Sequence, residues 1–492
     1  MSLKYKAVLG ALWSIGGGIL ARAIGLVGTL TLTHFVAPRE YGAVSVTAVA
    51  AATANAITII GFGQYVVANP REGDRTVFHA TLFHLLVGAL AFGGLWAFRD
   101  VLGSWLGTPE LSQFLPLILL ATIIERLAYT PGRVLTRDMR FRVLALRLLL
   151  GELAYVAVAV GLAIAGWGAM AIVWGILART IASGALTLFS LSPRKWLDIG
   201  PLSQKTTQKM LRYSLPLGAA NALHWLSRRG DNLLIAGMFG PAAAGSYNLA
   251  YNLADIPATQ IGEQIGDVLL PSFAKMQDAR ARKRALIRAA GLLGLVVFPS
   301  AVGLGVLAPT LVQAVFNPEW WDIAPMLVLL SMLSVLRPLG WLVGAYLQAV
   351  QRTRAVLLLE VVKTGGLLAL VLALGQIGLL WACAGVGLAF GAHAAASMLV
   401  MQRSEGVSVK ALLLALVPPL VAAFPMAIAV LSARQICRAY ECGSWAMLAA
   451  EVVTGVVTYS VSAWLLASHQ SRDFVALLGG ALRRLAPASG AA

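Results

Sequence analysis

The sequence predicts an all-α integral membrane protein with about 14 transmembrane helices. Of its 492 residues, 59% are hydrophobic and only 12% are charged, whereas soluble globular proteins are about 25% charged. Long apolar runs recur along the whole chain, and basic residues concentrate in alternate loops. Because an open sheet edge cannot lie in lipid, runs of this length indicate helices.

Fourteen apolar runs are long enough to cross a hydrocarbon core about 30 Å thick. The first follows Lys4 and Lys6 and is too long for the apolar core of a cleavable signal peptide, so we expect it to be retained. The predicted spans cover residues 7–34, 41–68, 77–98, 113–132, 148–165, 169–191, 214–238, 246–272, 286–310, 324–350, 355–374, 379–401, 410–432 and 446–467.

The distribution of basic residues predicts the orientation of the chain. Lysine and arginine cluster in the loops around 133–147, 194–212 and 275–288. The opposite loops hold only Arg39, Arg99, Arg434 and Arg438. Since loops rich in lysine and arginine stay in the cytoplasm, both termini are predicted to be cytoplasmic. The same bias explains the net charge of +17 without a nucleic-acid partner.

A weak internal repeat predicts the domain organisation. Pro38-x-x-x-Gly42 matches Pro241-x-x-x-Gly245, and Leu135–Arg142 matches Leu347–Arg354. A repeat unit of six helices gives two parallel bundles with a binding cleft between them near the midplane. The predicted parts are an N-lobe (1–200), a C-lobe (201–405), two further helices (406–470) and a cytoplasmic tail (471–492) that begins as an interfacial helix.

Spans 214–238 and 246–272 each carry one polar stripe. Steps of three and four residues place these side chains on one helix face. The stripes contain Asn221, His224, Arg228 and Asn232 in the first span, and Asn248, Asn252, Asp255, Thr259, Glu263 and Asp267 in the second. Each charge at mid-bilayer costs about 2.5–3.5 kcal/mol on the insertion scale, so it is paired or faces water.

Two interpretations of the stripes stay open. In one, Arg228 pairs with Asp231 and Arg229 with Asp255, and the pairs only hold two helices together. In the other, the stripes line a wetted cavity that Arg22 faces from the first helix. We favour the cavity, because six polar residues in one stripe exceed what two ion pairs need.

Other motifs of chemical interest are missing from the sequence. The six histidines show no metal-ligand spacing, and there is no phosphate-binding loop or hydrolase motif. Cys437 and Cys442, in a predicted outer loop, either pair in an oxidising compartment or stay reduced. The sequence therefore predicts no enzyme activity, no metal and no cofactor.

Residues 214–272 resemble the start of the second lobe in polysaccharide transporters of the MOP superfamily (multidrug/oligosaccharidyl-lipid/polysaccharide exporters). The N-terminal Trp13 and Tyr41-Gly42 also fit, whereas Gly230 after a double arginine departs from the family pattern. The motifs that carry the resemblance are Leu215-Pro216-Leu217, the segment Ser227 to Gly237, the turn Gly240 to Gly245, and Tyr247-Asn-Leu-Ala-Tyr251-Asn-Leu-Ala254.

The resemblance implies a MATE-like fold and a Wzx-type flippase of the bacterial cytoplasmic (inner) membrane. Such a protein moves an undecaprenyl-diphosphate-linked oligosaccharide outward by alternating access, for O-antigen, capsule or exopolysaccharide synthesis. Membrane lipids and polysaccharide polymerase machinery are the implied further partners.

That cargo gives the polar residues candidate roles. Permanently charged, planar guanidinium groups suit a diphosphate, so the headgroup candidates are Arg22, Arg228 and Arg229. Candidates for sugar contacts, or alternatively for interhelical hydrogen bonds, are Asn221, Asn232, Asn248, Asn252 and Gln260. Candidates for coupling to a proton or sodium gradient, or for charge compensation, are Asp231, Asp255, Glu263 and Asp267.

Three alternatives stay open at this point. A MATE-like cation or drug antiporter would need an acidic cavity. Arg22, Arg228 and Arg229 argue against such a cavity, and the three carboxylates of the second stripe argue for it. A polytopic glycan polymerase or ligase would need a larger outer segment than the short loops offer. Transport of another diphosphate lipid, such as a peptidoglycan precursor, fits the same charges.

Overall fold

In the computed structural model the chain is built from helices. The structure describes residues 3–69, 73–138, 140–201, 203–350 and 352–485, and regular structure in these ranges is helical. The helices are α1 (Leu3–Leu32), α2 (Pro38–Ile57), α3 (Phe62–Ala68), α4 (Asp74–Ala97), α5 (Arg99–Trp105), α6 (Leu111–Arg137), α7 (Phe141–Ile164), α8 (Ala169–Phe189), α9 (Gln204–Lys275), α10 (Ala279–Val315), α11 (Ile323–Leu333), α12 (Pro338–Ala349), α13 (Thr353–Gly375), α14 (Leu379–Glu405), α15 (Val409–Ala439), α16 (Ser444–Leu466) and α17 (Ser468–Leu485).

The predicted fold class is confirmed. Each of the fourteen predicted spans coincides with helical chain, and among the described residues ten helical segments are long and apolar enough to cross a membrane. Helix α15 runs seven residues beyond the predicted span 410–432. Arg434, which the sequence places in an outer loop, is therefore part of that helix.

Two predicted spans are interrupted helices. Span 41–68 consists of α2 and α3, which are separated at Thr58–Gly61. Span 324–350 consists of α11, a single 3-10 turn at Ser334–Leu336, and α12, which begins at Pro338. Proline has no N–H to donate and clashes with the preceding turn, so a new helix begins at that residue.

The predicted spans 214–238 and 246–272 follow each other in α9, with one break at Gly240. Its backbone has φ 81° and ψ 177°, a region that is essentially restricted to glycine. We call residues 204–239 the first arm of α9 and residues 241–275 the second arm. The break brings side chains of the two arms together at 231–248.

The chain divides into two compact units, Met1–Asn248 and Leu249–Ala492. In the first unit, α7 packs against α1 and α8, and α6 packs against α8, α4 and α2. Small residues let these helices approach closely, as is usual in membranes: Gly17 lies against Ala145, and Gly28 against Val156.

In the second unit, α10 packs against α15 and α11, α13 against α14, and α15 against α16. Helix α17 is attached to this unit, because Arg288 Nε donates to Asp473 Oδ2 at 2.8 Å and Gln470 Nε2 donates to the carbonyl of Ala415 at 3.2 Å. The lobe boundaries expected from the repeat, at 200 and 405, stay predictions.

Candidate functional site

The two arms of α9 are joined by a buried hydrogen-bond network. Asp231 is 1% exposed, and its carboxylate accepts from the Tyr247 hydroxyl at 2.5 Å and from Asn232 Nδ2 at 3.0 Å. Asn232 in turn accepts from Asn248 Nδ2 at 2.7 Å. A buried carboxylate is tolerated when it is fully hydrogen-bonded, so this network fixes the turn of the first arm next to Arg228 and Arg229.

The three arginines predicted for the headgroup lie on α1 and on the first arm of α9. Arg22 is exposed on α1, and Arg228 and Arg229 are half-buried. Both α9 arginines have interacting neighbours. The double arginine thus lies well inside a long, mostly apolar helix, where an ionised group needs a counter-charge or water.

Asp255, on the second arm, forms an ion pair with Arg337. The Arg337 guanidinium also donates to the Tyr251 hydroxyl and lies 4.1 Å from the ring centroid of Phe390. The pairing of Arg337 with Asp255 leaves no signal in helical periodicity, because the two residues are 82 positions apart.

The remaining side chains predicted for sugar contacts or ion coupling lie on both arms of α9. Asn221 and Asn252 are half-buried, and Asn252 has an interacting neighbour. The side chains of Gln260, Glu263 and Asp267, and that of His224, lie outside the described part of the structure.

Arg126 is a buried cation within α6. It is 1% exposed, and its guanidinium donates to the carbonyl of His84 at 2.7 Å, to Asn55 Oδ1 at 2.6 Å and to Thr58 Oγ1 at 2.8 Å. Arg126 Nη2 also donates to the carbonyl oxygen of Thr58 at 3.2 Å. This carbonyl lies at the C-terminal end of α2, where a cation is favourable. Arg126 therefore stabilises the break between α2 and α3.

A charged cavity of about 490 Å³ lies between α6, α7 and α8. Its charged lining residues are Glu125, Arg133, Arg147, Glu152 and Arg179. Arg179 Nη2 donates to Glu152 Oε2 at 2.9 Å. The sequence assigned Arg133 and Arg147 to a basic loop, whereas both lie within helices. Hydropathy alone does not show which helices face each other.

At the predicted cytoplasmic ends of α6 and α8, Asp138 accepts from Lys195 Nζ at 3.0 Å and from Arg137 Nε at 3.2 Å. Burial raises the pKa of Asp138, but these two cations outweigh it, so the pKa lies below its usual value. The contact holds the loop after α6 against the segment after α8.

Among the residues that the structure describes, no three His, Cys, Asp or Glu side chains converge as metal ligands. Cys383, Cys437 and Cys442 form no disulfide in the structure, and the backbone amide of Cys442 donates to the carbonyl of Cys437 at 2.9 Å.

Comparisons with known proteins place this geometry in context. A family profile described as "Polysaccharide biosynthesis protein" matches residues 31–325. The lipopolysaccharide biosynthesis protein WzxC of Escherichia coli (strain K12) is 27% identical over 368 residues, which are 74% of each chain. The succinoglycan biosynthesis transport protein ExoT of Rhizobium meliloti (strain 1021) is 25% identical over 61% of this chain and 60% of its own.

Two solved structures share the fold. That of the lipid II flippase MurJ in an inward closed conformation has a TM-score of 0.74 at 13% identity, over 94% of this chain and all of its own. That of an inward-facing multidrug resistance MATE family transporter of the MOP superfamily has a TM-score of 0.60 at 15% identity, over 79% of this chain and 98% of its own. At these sequence identities, the two matches support the fold alone.

Proposed function

This chain belongs to the polysaccharide biosynthesis protein family, and we propose from that membership that it is a flippase for a lipid-linked oligosaccharide. The cargo is a glycan repeat unit on a diphosphate lipid such as undecaprenyl diphosphate, used for a surface polysaccharide. The names of the relatives, a lipopolysaccharide biosynthesis protein and a succinoglycan transport protein, support a glycan cargo. The expected activity is transport, not catalysis.

The observation that carries the proposal is the double arginine Arg228-Arg229, half-buried within the first arm of α9, which covers the predicted span 214–238. A diphosphate that crosses the bilayer needs cations at that depth, and guanidinium groups bind phosphate oxygens in a bidentate manner. Arg22 is proposed as the third headgroup ligand. The Asp231–Tyr247–Asn232 network supports this by fixing the helical turn that follows the arginines.

Sugar contacts are proposed for Asn221 and Asn252, with Gln260 as a further candidate from the sequence. Asn232 and Asn248 bond to each other, which supports a role for them in holding the α9 arms together. The interhelical alternative raised by the sequence therefore has structural support at these two positions.

A proton or sodium gradient is proposed as the driving force. Asp231 and Asp255 are both engaged by neighbours, which favours charge compensation for them. Glu263 and Asp267 keep the coupling role that the sequence suggests.

We further propose an inner-membrane location with cytoplasmic termini. The proposed transport route lies between lobes 1–200 and 201–405, and the proposed recipient of the cargo is a polysaccharide polymerase.

The test replaces Arg22, Arg228 and Arg229 singly by Ala and by Lys in a host that lacks the protein. Surface polysaccharide, lipid-linked repeat units inside the cell and the amount of protein in the membrane are measured together. We expect loss of surface glycan at normal protein level, with partial rescue by Lys. Normal export by all six variants would contradict the headgroup assignment and favour the cation antiporter.

A further inference from the structure

The cavity between α6, α7 and α8 has its own charge pattern, which the proposed function does not use. Arg133 is four residues from the C-terminal end of α6, and Arg147 is six residues from the start of α7. At 1.5 Å per residue these positions lie about 6 Å and 9 Å along the helices. On the proposed topology both guanidinium groups face the cytoplasmic end of the cavity.

The acidic side chains lie deeper. Glu125 and Glu152 are about 18 Å and 17 Å from the same helix ends, close to the middle of the bilayer. Glu152 is neutralised by Arg179 at 2.9 Å, and the Arg179 guanidinium lies 4.3 Å from the ring centroid of Tyr155. Among the carboxylates that line the cavity, Glu125 is thus the remaining counter-charge for Arg133 and Arg147.

Those two arginines differ in their surroundings. Arg133 donates to the Tyr129 hydroxyl at 3.3 Å and lies 5.0 Å from the ring centroid of Tyr129. Arg147 forms no ion pair and no side-chain hydrogen bond with any described residue. Gly132 makes room for it, since a methyl group at that position would lie 2.9 Å from Arg147 Nη1.

An arginine in an apolar helix requires a counter-charge, water or an anion. Glu125 acts on Arg147 through its charge but forms no ion pair with it, so the N–H groups of Arg147 are left to water or an anion. The hydroxyl groups nearby do not supply hydrogen-bond donors to a ligand, because Thr136 and Thr187 donate to carbonyls of their own helices. Guanidinium groups are therefore the donors that the cavity offers, and phosphate is the ligand they favour. The volume, about 490 Å³, is in the range of small-molecule sites and exceeds what a single water needs.

We propose that this cavity is a second anion site, which binds a phosphate-bearing group from the cytoplasmic side. Arg147 is the principal ligand and Arg133 the second. Glu125 opposes the bound anion from the deeper end of the cavity and keeps its binding reversible. The phosphate comes either from the headgroup of an anionic phospholipid or from a soluble phosphate compound.

The assignment predicts opposite effects for two neutralising variants. Arg147→Gln should weaken binding by about 10- to 100-fold, the usual range for one charge-assisted hydrogen bond, whereas Glu125→Gln should strengthen it. Arg142→Gln is the matched control, because Arg142 is an exposed arginine in the first turn of the same helix and does not line the cavity. Arg147→Lys keeps the charge and should retain part of the binding. Partial binding by this variant shows that the effect of Arg147→Gln comes from the lost guanidinium group and not from misfolding.

The experiment uses the full purified chain with two probes. Pyrophosphate is titrated in neutral detergent by calorimetry. Separately, the protein is reconstituted in phosphatidylcholine with or without an equimolar share of phosphatidylglycerol, and retained lipid is measured by mass spectrometry. Dependence on Arg147 with pyrophosphate alone identifies a soluble ligand, and dependence with phosphatidylglycerol alone identifies a lipid headgroup.

Both of these results support the site. Equal binding by Arg147→Gln and Arg142→Gln with both probes overturns it, as does weaker binding by Glu125→Gln. Because the readout is binding rather than export, the result is independent of whether the proposed glycan transport holds.

Discussion

Gly42 and Gly245 lie backbone against backbone where the first turn of α2 meets the start of the second arm of α9. A methyl group on Gly245 would lie 2.8 Å from the Cα atom of Gly42, and one on Gly42 would collide with the carbonyl oxygen of Pro241. These glycines end the two Pro-x-x-x-Gly segments that the sequence places at equivalent positions of the repeat. The two segments therefore meet at a contact that only glycine permits.

Replacing either Gly42 or Gly245 by Ala should destabilise the protein. The added methyl meets backbone atoms, which cannot rotate away, so we expect a loss of about 1–3 kcal/mol or more in the free energy of unfolding. The measurement is the thermal unfolding midpoint in detergent. Gly93→Ala is the control, because nothing lies within 4 Å of its added methyl and Gly→Ala without strain stabilises by about 0.4–1 kcal/mol. Unfolding midpoints equal to that of the control would contradict the close contact.

The contact between Gly42 and Gly245 shows which features of the fold could be predicted from the sequence. Hydropathy predicted the fourteen spans, and the spacing of the motifs predicted which segments are equivalent. Neither indicates which helices touch, because a helical stripe defines a face but not its partner. For this reason Arg337 was not recognised as the partner of Asp255, and the cavity lined by Glu125 and Arg147 was not predicted.

A second limit concerns helix breaks and helix ends. The break between α2 and α3 depends on Arg126, which is 68 residues from Thr58 in the chain. A local pattern cannot show such a contact. The polar stripes of α9, by contrast, can be read from the sequence, because periodicity within one helix is a local property.

Arg434 and Glu451 form a buried ion pair that ties α15 and α16 to α10. Arg434 Nε lies 2.8 Å from Glu451 Oε1, which also accepts from Thr310 Oγ1 at 2.8 Å. Breaking a buried pair leaves an uncompensated charge and costs about 3–5 kcal/mol. We therefore expect Glu451→Gln and Arg434→Gln each to lower the thermal unfolding midpoint strongly.

The matched control for this pair is Arg438→Gln, one turn along α15, where the side chain is exposed. The double variant Arg434→Met/Glu451→Leu should recover much of the loss, because apolar side chains of similar size often replace a buried pair without penalty. A single variant as stable as Arg438→Gln would show that the pair contributes little.

Asp138 should make a pH-dependent contribution to stability through Lys195 and Arg137. Its pKa is below the usual value in the folded protein and about 3.9 in the unfolded chain. The contribution is therefore fully present above about pH 4 and is lost as the pH falls through the folded-state pKa. The midpoint difference between the wild type and Asp138→Asn should be constant from about pH 5 to 7 and shrink below about pH 4. A difference that grows on acidification would contradict this account.

The ion pair between Asp255 and Arg337 allows coupling and charge compensation to be separated. Each single change, Asp255→Ala or Arg337→Ala, leaves one charge without its partner, so we expect less protein in the membrane and less glycan export. If Asp255 only compensates Arg337, the double variant should recover both, since no charge is then stranded. Arg354→Gln, an exposed position of the same unit, controls for net charge. A double variant that reaches normal protein level but exports nothing would instead assign Asp255 to the coupling of ion movement to transport.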